Sequence, residues 1–233
     1  DRSAAEAPLF QRAWWPVARR ADVAPGSYVA GCIGRLRWLV SRDETGSVRA
    51  FHNVCRHKGH AVVPTGPGCG AALTCGYHGW QYDLDGRLRK APRMAGIEDF
   101  DRDAMGLLPL QAAEWGPWIW LREAPPATDP PSEAPSTPAV SSPAEQAPEI
   151  ARLLDASGWE ALRFVAGRSW AIPCNWKVFV DNYLDGGYHI ENAHPSLAAQ
   201  LAMDDYTTSL YHRSSLQRCR PDGASRDLDY DVA

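Results

Sequence analysis

A chain of 233 residues with a net charge of −4 and 45% hydrophobic residues can bury one or two cores. Its 24 Lys and Arg form no long basic run and no apolar stretch approaches a membrane span, so neither nucleic acid nor membrane is an expected partner. The opening DRSAAEAPLFQRAWWP lacks the basic-then-apolar order of a signal peptide, which makes the cytoplasm the expected compartment.

The first 123 residues read as all-β. Residues 28–33 and 36–41 are short apolar and β-branched runs separated by Gly34, and a turn at 42–46 leads into a strand pattern over 48–54. Residues 73–75 and 81–82 bracket a loop, Asp83 to Gly86 carries an Asp-Gly hairpin signal, and 118–121 reads as a last strand. The text CRHKGH places Cys55 and His57, and CGYHGW places Cys75 and His78, both on loops at strand ends. Each half supplies one thiolate and one imidazole, whereas a Cys₂His₂ zinc finger groups its two Cys first. The mixed order suits a two-iron cluster in which one iron takes both thiolates and the other both imidazoles, a Rieske [2Fe–2S] centre. Zinc, or four unconnected core residues, are the competing explanations. Gly59, Gly76 and Gly79 permit tight turns and close backbone approach to a cluster, and backbone N–H groups there can bond its sulfurs. The other cysteines, Cys32, Cys69, Cys174 and Cys219, are expected as free thiols, with Cys69 in a loop.

From 124 to 148 the chain is rich in Pro, Ser and Ala with no aromatic residue, so it cannot build a core and is expected as a linker or surface insertion. Residues 149–154 start a new segment and 162–172 read as strand. Residues 176 to about 188 have helical content until Gly186-Gly187. Asp181, Asp185 and His189 are four apart and share a helical face. His194 lies five beyond His189, about 140° away on an ideal helix, so one metal can take both only if the helix bends, loosens or ends between them. Two His with a carboxylate and open positions describe a non-haem Fe(II) site for O₂. Alone the His pair is weak evidence, and packed or solvated His is the ordinary explanation.

With these motifs the chain resembles the Rieske non-haem iron oxygenases, the α subunits of ring-hydroxylating oxygenases and related monooxygenases, over about 14–217. Residues 174–194, CNWKVFVDNYLDGGYHIENAH, are most similar to the choline monooxygenase branch. The resemblance implies an α+β molecule with an all-β Rieske domain at 10–123, the linker at 124–148, and the start of an α+β catalytic domain at 149–233. It implies Cys55 and Cys75 on one cluster iron, His57 and His78 on the other, and His189 and His194 on Fe(II). Asp185 is then the bridge carrying electrons between subunits, and Asn182 lines the iron site. Most relatives place that acid three residues before the first His, whereas here it is four. The family's third iron ligand is a carboxylate much farther along a longer chain. Asp204, Asp205, Asp222, Asp227, Asp229 and Asp231 do not match it, so the chain is expected to be an N-terminal portion with an incomplete iron site. The implied activity is hydroxylation of a small organic substrate with O₂, fed by a ferredoxin or flavin reductase in a ring of three subunits. The substrate is choline or another quaternary ammonium, with an aromatic ring as the alternative. A fragment acting only as a Rieske electron carrier is the competing function class.

Overall fold

The computed structural model describes residues 13–94, 96–123, 142–212 and 214–222. The chain divides into two compact units, one running to Leu162 and the other from Arg163.

The first unit is built on a seven-stranded antiparallel sheet. Its strands are β1 (Trp15–Arg19), β2 (Ser27–Ile33), β3 (Leu36–Arg42), β4 (Val48–His52), β5 (Gly66–Cys69), β9 (Pro109–Trp115) and β10 (Trp118–Arg122), in the order β1-β10-β9-β4-β3-β2-β5. A small sheet of β6 (Leu73–Thr74), β7 (Gln81–Tyr82) and β8 (Leu88–Lys90) accompanies it. Strand alternation divides the large sheet's side chains between two cores. Ala30, Leu39 and Phe51 pack with Leu73, Trp80, Tyr82 and both loop cysteines, Cys55 and Cys75. Their neighbours Trp38, Val40 and Ala50 pack with Ile119 and Leu121 on the other side. Leu39, Leu73, Ile119 and Leu121 are fully buried, and each such side chain contributes about 1.5–3 kcal/mol over an exposed one. Where Ser41 falls in this interior, its hydroxyl donates to the Leu84 carbonyl at 2.6 Å.

The strands expected from apolar runs form with small shifts at their ends. Asp83 to Gly86 joins β7 to β8, with the Gly86 N–H donating to the Asp83 carbonyl at 2.9 Å. Cys69, expected in a loop, is instead the last residue of β5, opposite Ser27. The Gly-Pro-Gly text conceals a strand because β5 lies at the sheet edge, where Pro is tolerated.

Residues 142–161 also belong to the first unit. Helix α1 (Pro143–Gln146) returns to the sheet, its Gln146 side chain accepting from the Trp14 N–H at 2.7 Å. Helix α2 (Pro148–Ser157) ends at Gly158, and Trp159 seats edge-on against Trp115 with ring centroids 4.8 Å apart. A Cβ on Gly116 would stand 2.2 Å from the Trp159 ring, so only glycine leaves room for it. The contact division falls after Leu162. The stretch 124–141, most of the expected linker, lies outside the described residues.

The second unit holds α3 (Trp176–Leu184), α4 (Ile190–Ala193), α5 (Pro195–Ala198) and a hairpin of β11 (Thr207–Leu210) and β12 (Ser215–Arg218). Asn175 caps α3, its side chain accepting from the Lys177 N–H at 3.0 Å. Residues 162–173 form no strand, contrary to the apolar pattern. The segment enters none of the three sheets, and Val165 is 91% exposed: apolar composition does not make a strand without a neighbouring backbone. No helix among the described residues is long and apolar enough to cross a membrane.

Candidate functional site

The two expected cluster loops close in the same way. Cys55 N–H donates to the His60 carbonyl at 2.7 Å, and Cys75 N–H to the Trp80 carbonyl at 2.8 Å. In turn the Gly59 N–H donates to Cys55 O at 2.9 Å, and the Gly79 N–H to Cys75 O at 3.0 Å. Both glycines have φ +72°, the left-handed region that a side chain disfavours. Gly76 is different: its φ is outside that region and a Cβ there would meet nothing within 4 Å, so neither conformation nor close approach demands glycine. Asn53 braces the first loop from within, accepting from Val62 and Val63 N–H at 2.9 and 3.1 Å and donating to Val63 O at 2.8 Å.

The loops bring the four residues together as two pairs. The His57 and His78 rings lie edge-to-face with centroids 4.6 Å apart. Cys55 and Cys75 are both buried and interact through their thiols. Burial pushes the Cys75 thiol up, while the N–H groups of Tyr77 and His78 point at its sulfur and pull the other way. Those donors suit a metal-bound thiolate better than a thiol. His57 stacks on the buried Trp80 ring at 5.0 Å and 5°, which fixes its plane. Desolvation, then the neighbouring His78 and Lys58, hold the pKa of its imidazole below the ordinary His value. Its Nδ1 is buried with no hydrogen-bond partner. A buried nitrogen left so costs about 1–3 kcal/mol, and a metal ion taking its lone pair removes that cost. An imidazole pair beside a thiol pair fits two irons with two protein ligands each. Among the described residues, no group of three His, Cys, Asp or Glu gathers to hold a single ion.

Tyr82 is a residue the sequence reasoning passed over. Its hydroxyl accepts from the Arg56 N–H at 3.0 Å and stands 3.3 Å from Cys55 Sγ. With the backbone donor occupying the oxygen, the hydroxyl proton is free to point at the sulfur. Burial and the adjacent Cys55 raise the phenol far above its ordinary pKa, so it keeps that proton. The available signal was positional: Tyr82 is two residues beyond Trp80 on the inward alternation of β7.

In the second unit α3 ends at Leu184, with Asp185 as its C-cap and Gly186 and Gly187 at φ +71° and +82°. Asp185 and His189 therefore do not share one helix face as expected. The turn still brings Asp185 Oδ2 within 3.2 Å of His189 Nδ1. His189 and His194 bracket the single turn of α4, and their rings meet edge-to-face at 5.3 Å. Ending the long helix achieves what an ideal helix forbids. With Nδ1 of His189 engaged by the carboxylate, Nε2 is left for a metal. Two imidazoles so placed fit two positions of a non-haem iron site. Asn182 is exposed in the last turn of α3.

Residues 13–101 match the Rieske [2Fe-2S] domain and 159–231 match the ring hydroxylating alpha subunit catalytic domain. The fold and first site thus define a Rieske-type protein whose Rieske domain is followed in sequence by residues of a ring-hydroxylating catalytic domain. The chain is 40% identical to choline monooxygenase, chloroplastic, of Arabidopsis thaliana, over 91% of this chain and 50% of that protein. It is 30% identical to the carnitine monooxygenase oxygenase subunit of Acinetobacter pittii, over 90% of this chain and 53% of that one. A crystal structure of the quaternary ammonium Rieske monooxygenase CntA with an inhibitor superposes at TM-score 0.81 and 27% identity, covering 97% of this chain and 59% of that one. The chain belongs to the Rieske oxygenase family. Membership implies an iron–sulfur cluster and a non-haem iron. The chain spans about half the length of the curated relatives it matches.

Proposed function

We propose that the chain is the cluster-bearing and iron-binding portion of an oxygenase that hydroxylates a quaternary ammonium compound with O₂. The observation that carries this reading is the presence of two imidazole pairs on separate supports, one with an orphaned buried nitrogen and one with a carboxylate behind it. Cys55 and Cys75 would hold one cluster iron, His57 and His78 the other, and His189 and His194 the mononuclear iron. When bound, these groups supply one-electron transfer and O₂ activation.

The side chains do the rest. The Tyr82 hydroxyl and the N–H groups of Tyr77 and His78 place positive dipoles on the thiolates. Asp185 accepts the Nδ1 proton of His189, fixing the tautomer that presents Nε2. The same carboxylate, half-exposed, is proposed as the bridge to a cluster His of a neighbouring subunit in a ring of three, and Asn182 as a lining residue. The structure of a quaternary ammonium Rieske monooxygenase similar to this chain gave insights into inter-subunit electron transfer in that protein. A ferredoxin or flavin reductase is the proposed electron source. The ammonium substrate is proposed because the relatives are named for choline and carnitine.

The test is O₂ consumption, with added reductase, by a polypeptide carrying this chain at the length of its relatives. Consumption that depends on choline or carnitine is the expected result. Dependence on an aromatic hydrocarbon alone would replace the substrate, and two irons per chain with no O₂ use would leave an electron carrier.

A further inference from the structure

Gly186 and Gly187 lie between the carboxylate and the first iron-site His, and the hairpin of the second unit is seated on them. A Cβ on Gly187 would fall 2.7 Å from Tyr206 Cζ, with both Cε atoms under 3 Å, so the Tyr206 ring lies flat on this backbone. A Cβ on Gly186 would stand 3.4 Å from Thr208 Oγ1 of β11. The Tyr206 hydroxyl donates to Gln217 Oε1 at 2.5 Å, and Gln217 Nε2 donates to the Tyr183 carbonyl at 3.1 Å. The amide has one orientation that satisfies both, because a carbonyl only accepts. Tyr183 is in the last turn of α3, where carbonyls have no partner within the helix. Gln217 occupies one of them and so marks where the helix stops. Gly187 is buried, as is Ile190, whose N–H donates to the Gly187 carbonyl at 3.0 Å.

We infer that Tyr206 and Gln217 are positioning residues for the mononuclear iron site: by clamping the end of α3 and the Gly186-Gly187 turn, they set the approach of Asp185 to His189 and of His189 to His194. The inference rests on His189 and His194 being iron ligands. Neither clamp residue touches the metal. Tyr206 acts through its ring on Gly187 and its hydroxyl on Gln217, and Gln217 through the helix end. Without the two hydrogen bonds α3 is free to fray or to run on into the turn, and the two imidazoles lose their fixed separation.

The experiment reads ferrous binding by the cluster-loaded polypeptide that carries this chain at the length of its relatives, under anaerobic conditions, with nitric oxide as the probe and the S = 3/2 EPR signal as the readout. Tyr206→Phe and Gln217→Leu are each expected to weaken ferrous binding about tenfold, the low end of the range for outer-sphere partners, and to change the rhombicity of the signal. The double variant is expected to be no weaker than either single one, because one chain of bonds is being cut. The Rieske spectrum, read on the same samples, should stay parental. Loss of thermal stability with parental ferrous affinity and rhombicity would make the pair ordinary packing and overturn the inference. If the parent gives a signal that His189→Ala and His194→Ala abolish, but Tyr206→Phe matches the parent, the clamp alone is wrong. If the parent gives no such signal, the iron-ligand reading fails and takes the clamp with it.

Discussion

The two halves of this chain treat their apolar residues in opposite ways. In the first unit the metal-ligand loops rise from a sheet buried on both faces, and both cysteines are part of the core itself. In the second unit Trp170, Phe179, Tyr183 and Tyr188 are all more than half exposed, and among the described residues Ile190 is the one large apolar residue that is buried. The first site thus inherits rigidity from close packing. The second depends on a few specific hydrogen bonds and on glycine turns. A site of the first kind should resist changes to its periphery, and one of the second kind should not.

The largest break between the two is at the ligands. His57→Ala should abolish the red-brown colour and the Rieske EPR signal, because one cluster iron loses half its protein ligands. His189→Ala should leave both untouched. A coloured His57→Ala protein would show that the loops hold something other than this cluster.

Next in size is the Trp159 anchor. Trp159→Ala empties the place against Trp115 and Gly116 and should destabilise the first unit by about 3–5 kcal/mol, as for other buried aromatic deletions. Denaturant unfolding followed by cluster absorbance measures it. A change below 1 kcal/mol would mean that residues 142–161 do not stabilise the sheet they touch.

Tyr82→Phe probes the cluster rather than the fold. Removing the donor 3.3 Å from Cys55 Sγ should lower the reduction potential, because the oxidised cluster needs that dipole less than the reduced one. A hydrogen bond to a charged group is worth about 1.5–3 kcal/mol, and 59 mV is a tenfold change for one electron. A fall of about 60 mV is therefore expected, read by protein-film voltammetry. An unchanged potential would place the hydroxyl proton elsewhere.

The smallest effect is electrostatic. Burial opposes ionisation of Glu114, but Arg42, 2.6 Å away, and Arg20 outweigh it and hold its carboxyl below the ordinary value of 4.5. A depressed folded pKa stabilises the fold above the unfolded value and loses that contribution as pH falls through the folded one. Glu114→Gln should therefore be less stable than the parent at pH 7, with the difference closing below about pH 4.5. A gap that stays constant down to pH 3 would assign the effect to packing.

Much of this was legible in the sequence. The order Cys55, His57, Cys75, His78 specified two mixed pairs, and the apolar runs specified β2, β3, β4 and β10, because ligand chemistry and strand alternation are both written locally. Strands β1, β5, β8 and β9 were not legible. β9 reads Pro-Leu-Gln-Ala-Ala-Glu-Trp and buries only Leu110, so its place comes from pairing with β10 and β4. The apolar text of 162–172 misled for the converse reason, since a strand exists only where another backbone accepts it.

At the second site the sequence determined that an ideal helix could not serve both His189 and His194, and that Gly186-Gly187 was where it would give way. The roles of Trp80, Tyr82, Trp159 and Gln217 were decided only by tertiary structure. Each acts on a partner between 23 and 43 residues away or on the far side of a turn: Trp80 on His57, Tyr82 on Cys55, Trp159 on Gly116 and Gln217 on Tyr183. Ligand spacing, helix period and turn residues are properties of a few consecutive residues, so sequence carries them. Which sulfur a hydroxyl meets, or which helix end an amide closes, depends on how distant segments pack, and only the folded chain determines that.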